Sequence, residues 1–123
     1  MGSEKRRHKR LPIRGFMKCS VDFNVKQHHL DEIDVLSLSA GGMFIAIDER
    51  QDYFMETGDA LKEIHIHLEE LDGLELTGRI AHRMSLGEIG GCGVEFNEVQ
   101  ATETTMIESF VIRKLKEFGL AAF

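Results

Sequence analysis

The chain has 123 residues, 42% of them apolar and 29% charged, with a net charge of −6 and a single proline. That length fits one domain able to bury about 65–70% of the surface its unfolded form exposes, and the composition is that of an ordinary globular protein. No apolar run approaches the ~20 residues of a membrane helix, and the basic N-terminus lacks the apolar stretch of a secretory signal, so the expected compartment is the cytoplasm, without membrane insertion.

The net charge hides an asymmetry. Residues 1–14 hold six Lys and Arg (Lys5, Arg6, Arg7, Lys9, Arg10, Arg14) against Glu4 alone, whereas the rest of the chain holds 9 bases and 20 acids. A positive arm on an acidic body points to a small anionic ligand. It argues against long DNA or RNA, because the body repels a polyanion running past the arm.

In chain order, residues 1–13 read as a basic arm, flexible from its composition, with Pro12 biasing Leu11 towards an extended backbone. Cys19, Val21 and Phe23 alternate with Lys18, Ser20 and Asp22, the pattern of a half-buried strand. Val25 to Leu30 is polar and reads as a turn or a short hairpin strand. Ile33 to Leu38 reads as a strand. Ser39-Ala40-Gly41-Gly42 signals a turn, since paired glycines allow positive φ. Met43 to Ile47 resumes as a strand, and Asp48 to Gly58 reads as an irregular connection with room for a helical turn.

Two further strands follow. Ile64, Ile66 and Leu68 share one face of Leu61–Leu68, with Glu63, His65 and His67 on the other. Leu74, Leu76, Gly78 and Ile80 are in phase, and Asp72-Gly73 between the two runs is a hairpin signal. Cys92, Val94 and Phe96 form the last strand face. The period then changes: Ile107, Phe110, Val111, Leu115 and Phe118 recur at helical spacing over about 102–118, with Thr102 or Thr104 as cap and Gly119 as stop. The predicted architecture is all-β with one C-terminal helix, a small six-stranded antiparallel barrel occupying 14–123, since closure removes exposed strand edges.

The chemistry concentrates in two places. Arg6 and Arg10 stand at an RxxxR spacing within Arg6-Arg7-His8-Lys9-Arg10. Some 27 residues on comes Ser37-Leu38-Ser39-Ala40-Gly41-Gly42. Here the chain resembles the PilZ domain family. Glu4 to Ile13 looks like that family's N-terminal arm. Ser37 to Ile45 looks like its [D/N]xSxxG turn and following strand, and Gly91-Cys92-Gly93-Val94-Glu95-Phe96 like its late glycine-flanked strand. The resemblance spans nearly the whole chain. It implies a six-stranded split-type barrel, binding of cyclic di-GMP, and no cofactor.

Physical chemistry agrees with that transfer. Arginine's planar fork can grip a phosphate or the guanine O6/N7 edge with paired donors, and it can lie flat on a purine. The site so implied comprises Arg6 and Arg10, with Arg7 auxiliary, Ser39 donating to a phosphate, and Gly41 and Gly42 admitting close backbone approach. Ser37 departs from the family pattern, which has Asp or Asn there to accept from guanine N1 and N2.

Other features have plainer readings. His65-x-His67 can in principle grip a metal, but its Glu-flanked outward face reads as solvated surface. Cys19 and Cys92 read as reduced core thiols, with a disulfide between them as the alternative. Phe16, Phe44, Phe96, Phe110 and Phe118 read as core. No nucleophile–base pair, phosphate loop or carboxylate pair stands out, so no enzymatic activity is expected. The leading expectation is a cyclic di-GMP receptor without an attached output domain, ordering its arm on ligand binding and signalling to an unidentified protein effector. The alternative is a degenerate PilZ-type interaction module that binds no nucleotide.

Overall fold

A computed structural model describes residues 8–52, 55–86 and 89–120. Its elements run β1 (Arg10–Pro12), β2 (Ser20–Val25), β3 (His28–Ser39), β4 (Gly42–Ile47), α1 (Glu49–Asp52), β5 (Ala60–Ile66), β6 (Leu76–Leu86), β7 (Ile89–Asn97) and α2 (Ala101–Glu117). All strand pairings are antiparallel, in the order β1-β3-β2-β5-β6-β7-β4, and an additional β3–β4 pairing closes the ring. The result is the expected closed six-stranded barrel, with β1 added as a short extra strand and one C-terminal helix.

β3 is the strand on which the ring turns. Its first part, from His28 to Asp34, pairs with β2, while Val35 to Ser39 pairs with β4. Arg10, Leu11 and Pro12 pair with Ser39, Leu38 and Ser37. Residues 10–13, read from sequence as the end of the arm, are therefore packed. Leu11 and Ile13 are fully buried, and Ile13 N–H donates to the Leu36 carbonyl at 2.9 Å. Proline is tolerated in β1 because it stands at an edge.

The alternation read along the strands places Val21, Phe23, Val25, Met43, Ile45, Ile47, Ile80, Cys92, Val94 and Phe96 inside the barrel. β5 departs from strict alternation. Leu61 and Ile64 are both buried, three residues apart, because the register shifts between them and Glu63 takes a φ of 52°. A bulge of this kind sends an extra residue outward and increases the local twist. Of the five phenylalanines read as core, Phe96 and Phe110 are buried, while Phe44 and Phe118 are half-buried. Phe16 is 47% exposed and stacks on Phe118 at 5.2 Å between centroids.

The link between β5 and β6 is a short 3-10 turn, Glu69–Leu71, followed by Gly73 at φ 95°. α2 packs against β1, β3 and that turn, burying Ile107, Phe110, Val111 and Leu115. An ion pair from Arg113 Nη2 to Glu70 Oε2 at 2.7 Å spans α2 and the turn. The helix begins one residue before the sequence expectation, and neither Thr102 nor Thr104 caps it. Gln100 does, in a capping box with Glu103: Glu103 Oε1 accepts from the Gln100 N–H at 3.0 Å. At the other end Leu120 N–H reaches the Leu115 carbonyl and Gly119 N–H the Lys116 carbonyl, at 2.7 and 3.1 Å, with Gly119 at φ 76°. That pair of hydrogen bonds closes the helix through a left-handed glycine.

Candidate ligand-binding site

The β3–β4 hairpin and β1 meet at one rim of the barrel. A cleft of about 640 Å³ opens there, lined among others by His8, Arg10, Ser37, Ser39, Gly41 and Gly42. Five residues singled out from sequence, some 27 positions apart along the chain, are thus brought to one place. The β1–β3 register does this directly, setting Arg10 opposite Ser39. Arg6 and Arg7 lie outside the described residues.

Arg10 Nη1 donates to Ser37 Oγ at 2.9 Å. This bond joins the basic segment to the turn at the cleft mouth. His8 is half-buried just above it: its Nδ1 stands 3.6 Å from Glu108 Oε1 on α2, an oxygen that otherwise has no hydrogen-bond partner among the described residues. A Cβ on Gly41 would come within 3.3 Å of the His8 ring, so Gly41 lets the arm lie close over the turn.

Ser39 is only 4% exposed. Its Oγ accepts from the Gly41 N–H at 3.2 Å and donates to the Gly42 carbonyl at 3.4 Å. The hydroxyl therefore points first at its own turn. The second bond is long, which leaves that proton available for a better acceptor.

The glycines serve the turn differently from the sequence expectation. Neither Gly41 nor Gly42 takes a positive φ. Gly42 faces Glu95 in the β4–β7 ladder, and a Cβ there would collide with the Val94 carbonyl. What requires glycine at position 42 is the close approach of β7.

The opposite wall of the cleft holds groups that the sequence reading did not assign to it. His82 on β6 stacks with Phe44 on β4, their centroids 5.9 Å apart and planes inclined by 27°. The imidazole lies directly over Gly93, where a Cβ would strike the ring. The glycine-flanked Gly91-Cys92-Gly93 pattern was the available signal, since it leaves a trough on β7 in which rings can lie. Glu95 also lines the cleft. Arg79 donates to its Oε1 through both Nε, at 3.1 Å, and Nη2, at 2.9 Å.

Elsewhere, His65-x-His67 lies at the solvated surface, as read, and joins a small polar cluster there. His29 Nε2 and His65 Nδ1 each stand 3.6 Å from Asp22 Oδ2, and His67 Nε2 stands 2.5 Å from Asp22 Oδ1. Among the described residues no set of three or more His, Cys, Asp or Glu is arranged to hold a metal. Cys19 and Cys92 are both buried, and burial pushes the Cys19 thiol up to about 12. Among the described residues no helix is long and apolar enough to cross a membrane.

The PilZ domain matches residues 4–113. The chain belongs to the PilZ domain family. Solved structures share its fold. MotI/DgrA, the inhibitor of motility of Bacillus subtilis, is 15% identical with a TM-score of 0.74, over 91% of this chain and 52% of that one. MrkH from K. pneumonia, in its c-di-GMP complex, is 15% identical with a TM-score of 0.79, over 93% of this chain and 54% of that one. The PilZ domain of YcgR from Escherichia coli, with c-di-GMP, is 14% identical with a TM-score of 0.72, over 94% of this chain and 97% of that one. The chain spans about half the length of the MotI/DgrA and MrkH chains. No curated protein matches it.

Proposed function

We propose that this PilZ domain is a cytoplasmic cyclic di-GMP receptor, not an enzyme, and that Arg6, Arg7, Arg10, Ser37, Ser39, Gly41 and Gly42 form its binding site. The observation that carries the reading is the 2.9 Å bond from Arg10 to Ser37. It sets an arginine fork and the serine-glycine turn at the mouth of one cleft. The MrkH and YcgR structures, whose folds match, were determined with c-di-GMP.

In this reading Arg10 and Arg6 meet the ligand's phosphates and guanines, where a delocalised planar cation serves better than an ammonium. Ser39 turns its long-bonded hydroxyl towards a phosphate oxygen. The His82–Phe44 stack offers a flat face to a purine ring. Binding fixes the arm over the turn, next to Glu108 of α2, and α2 carries Met106 and Ile112, 42% and 36% exposed, as a surface for a protein effector. Calorimetric titration of cyclic di-GMP, with GTP and cyclic di-AMP as controls, tests this. Heat with cyclic di-GMP alone is expected. No heat would leave a PilZ-type interaction module that binds no nucleotide.

A further inference from the structure

Glu95 occupies a position of consequence. In the β4–β7 and β6–β7 ladders it lies between Gly42 and Arg79. Gly42, the β4 residue paired with Glu95, has no side chain to stand between Glu95 and the turn. Both Arg79 contacts fall on Oε1, which fixes the carboxylate while leaving Oε2 outside that pair. Glu95 supplies the cleft's only carboxylate among the described residues.

The rest of the cleft is rich in donors and poor in side-chain acceptors. Ser37 stands where the family pattern has Asp or Asn, and its oxygen already accepts from Arg10. A guanine presents two adjacent donors, N1–H and N2–H, on its Watson–Crick edge, and a carboxylate is the side chain that can accept both. Resting on the ligand assignment above, we propose that Glu95 reads the guanine edge in this chain, taking the acceptor role that Ser37 cannot fill. Arg79 is then a positioning residue: it aims the carboxylate and offsets its charge beside the ligand's phosphates. Adenine offers an acceptor at N1 of the same edge and is repelled.

The test is a set of calorimetric titrations with cyclic di-GMP and its inosine analogue, which lacks the N2 amine. They use the native chain and the Glu95→Gln, Glu95→Ala and Arg79→Ala variants. Glu95 is 56% exposed, and melting curves would verify that its variants fold. The native chain is expected to prefer the guanine ligand, and Glu95→Ala to lose about tenfold to a hundredfold in affinity for it. The preference over the inosine analogue should shrink in both Glu95 variants, and Arg79→Ala should give a smaller loss of the same kind. Native binding that is equalled by folded Glu95→Ala, with the guanine preference intact, overturns the role of Glu95 alone. Absence of native binding overturns the ligand assignment, and this inference with it.

Discussion

Arg10 and Ser37, separated by 27 residues in sequence, are joined by a hydrogen bond of 2.9 Å, and this bond sits on a strand pairing that places Pro12 opposite Ser37 and Arg10 opposite Ser39. The pairing is anchored from below by Leu11 and Ile13, both fully buried. The position of Arg10 at the cleft is thus set by the core, and its guanidinium needs little ordering when a ligand arrives.

Replacing Ser37 with Asp is expected to strengthen cyclic di-GMP binding. A carboxylate there accepts from Arg10 and still has an oxygen for the edge of the ligand's second guanine, the one Glu95 does not read. The gain should be about tenfold to a hundredfold, the value of one hydrogen bond to a buried polar edge. Calorimetry on the Ser37→Asp variant measures it, and unchanged or weaker binding would count against a ligand edge at position 37.

Replacing His82 with Ala removes one ring of the stack on Phe44. His82 is exposed, so the fold should survive with little change in melting temperature. Stacking of a base on an aromatic ring contributes about 1–3 kcal/mol, and the lower end suits an imidazole. An affinity loss of about fivefold to tenfold is expected by titration; an unaltered affinity would remove the wall of β6 from the site.

Gly42→Ala should act through the fold. Its Cβ would strike the Val94 carbonyl, forcing β4 and β7 apart along their ladder. The expected cost is about 2–4 kcal/mol, read as a lower urea midpoint with no ligand present. A variant as stable as the native chain, yet unable to bind, would instead make Gly42 a matter of ligand approach.

Burial raises the Cys19 thiol from its ordinary 9.0 to about 12. The unfolded chain releases this proton first. The stabilising contribution is therefore complete below pH 9 and is lost as pH climbs from 9 towards 12. Urea midpoints measured from pH 8 to 10.5 should fall more steeply for the native chain than for Cys19→Ala. Parallel curves would show that Cys19 ionises as easily folded as unfolded.

Much of this was legible in the sequence, for identifiable reasons. Period-two runs such as Cys92-Val94-Phe96 bury one face whatever their neighbours, and the spacing of Ile107, Phe110, Val111 and Leu115 suits only a helix. What escaped were features settled by contacts distant in sequence. β1 is three residues long and exists only because β3 pairs with it. The first part of β3, His28 to Glu32, is polar because it faces solvent, so it resembles a turn. The β5 bulge hides Leu61 from the alternation. In the site, Arg10, Ser37, Ser39 and the glycines announced themselves by spacing. His82, Phe44 and Glu95 did not, because their nearness to the turn depends on the β4–β7–β6 ladder and on the missing side chains of Gly42 and Gly93.

Whether the basic arm and the Ser37–Gly42 turn form one cyclic di-GMP site is decided by titrating the ligand into the native chain and an Arg6→Ala/Arg10→Ala variant of equal melting temperature. Saturable binding by the native chain is expected, with a loss of about a hundredfold or more in the variant. Equal binding by the two proteins would contradict it.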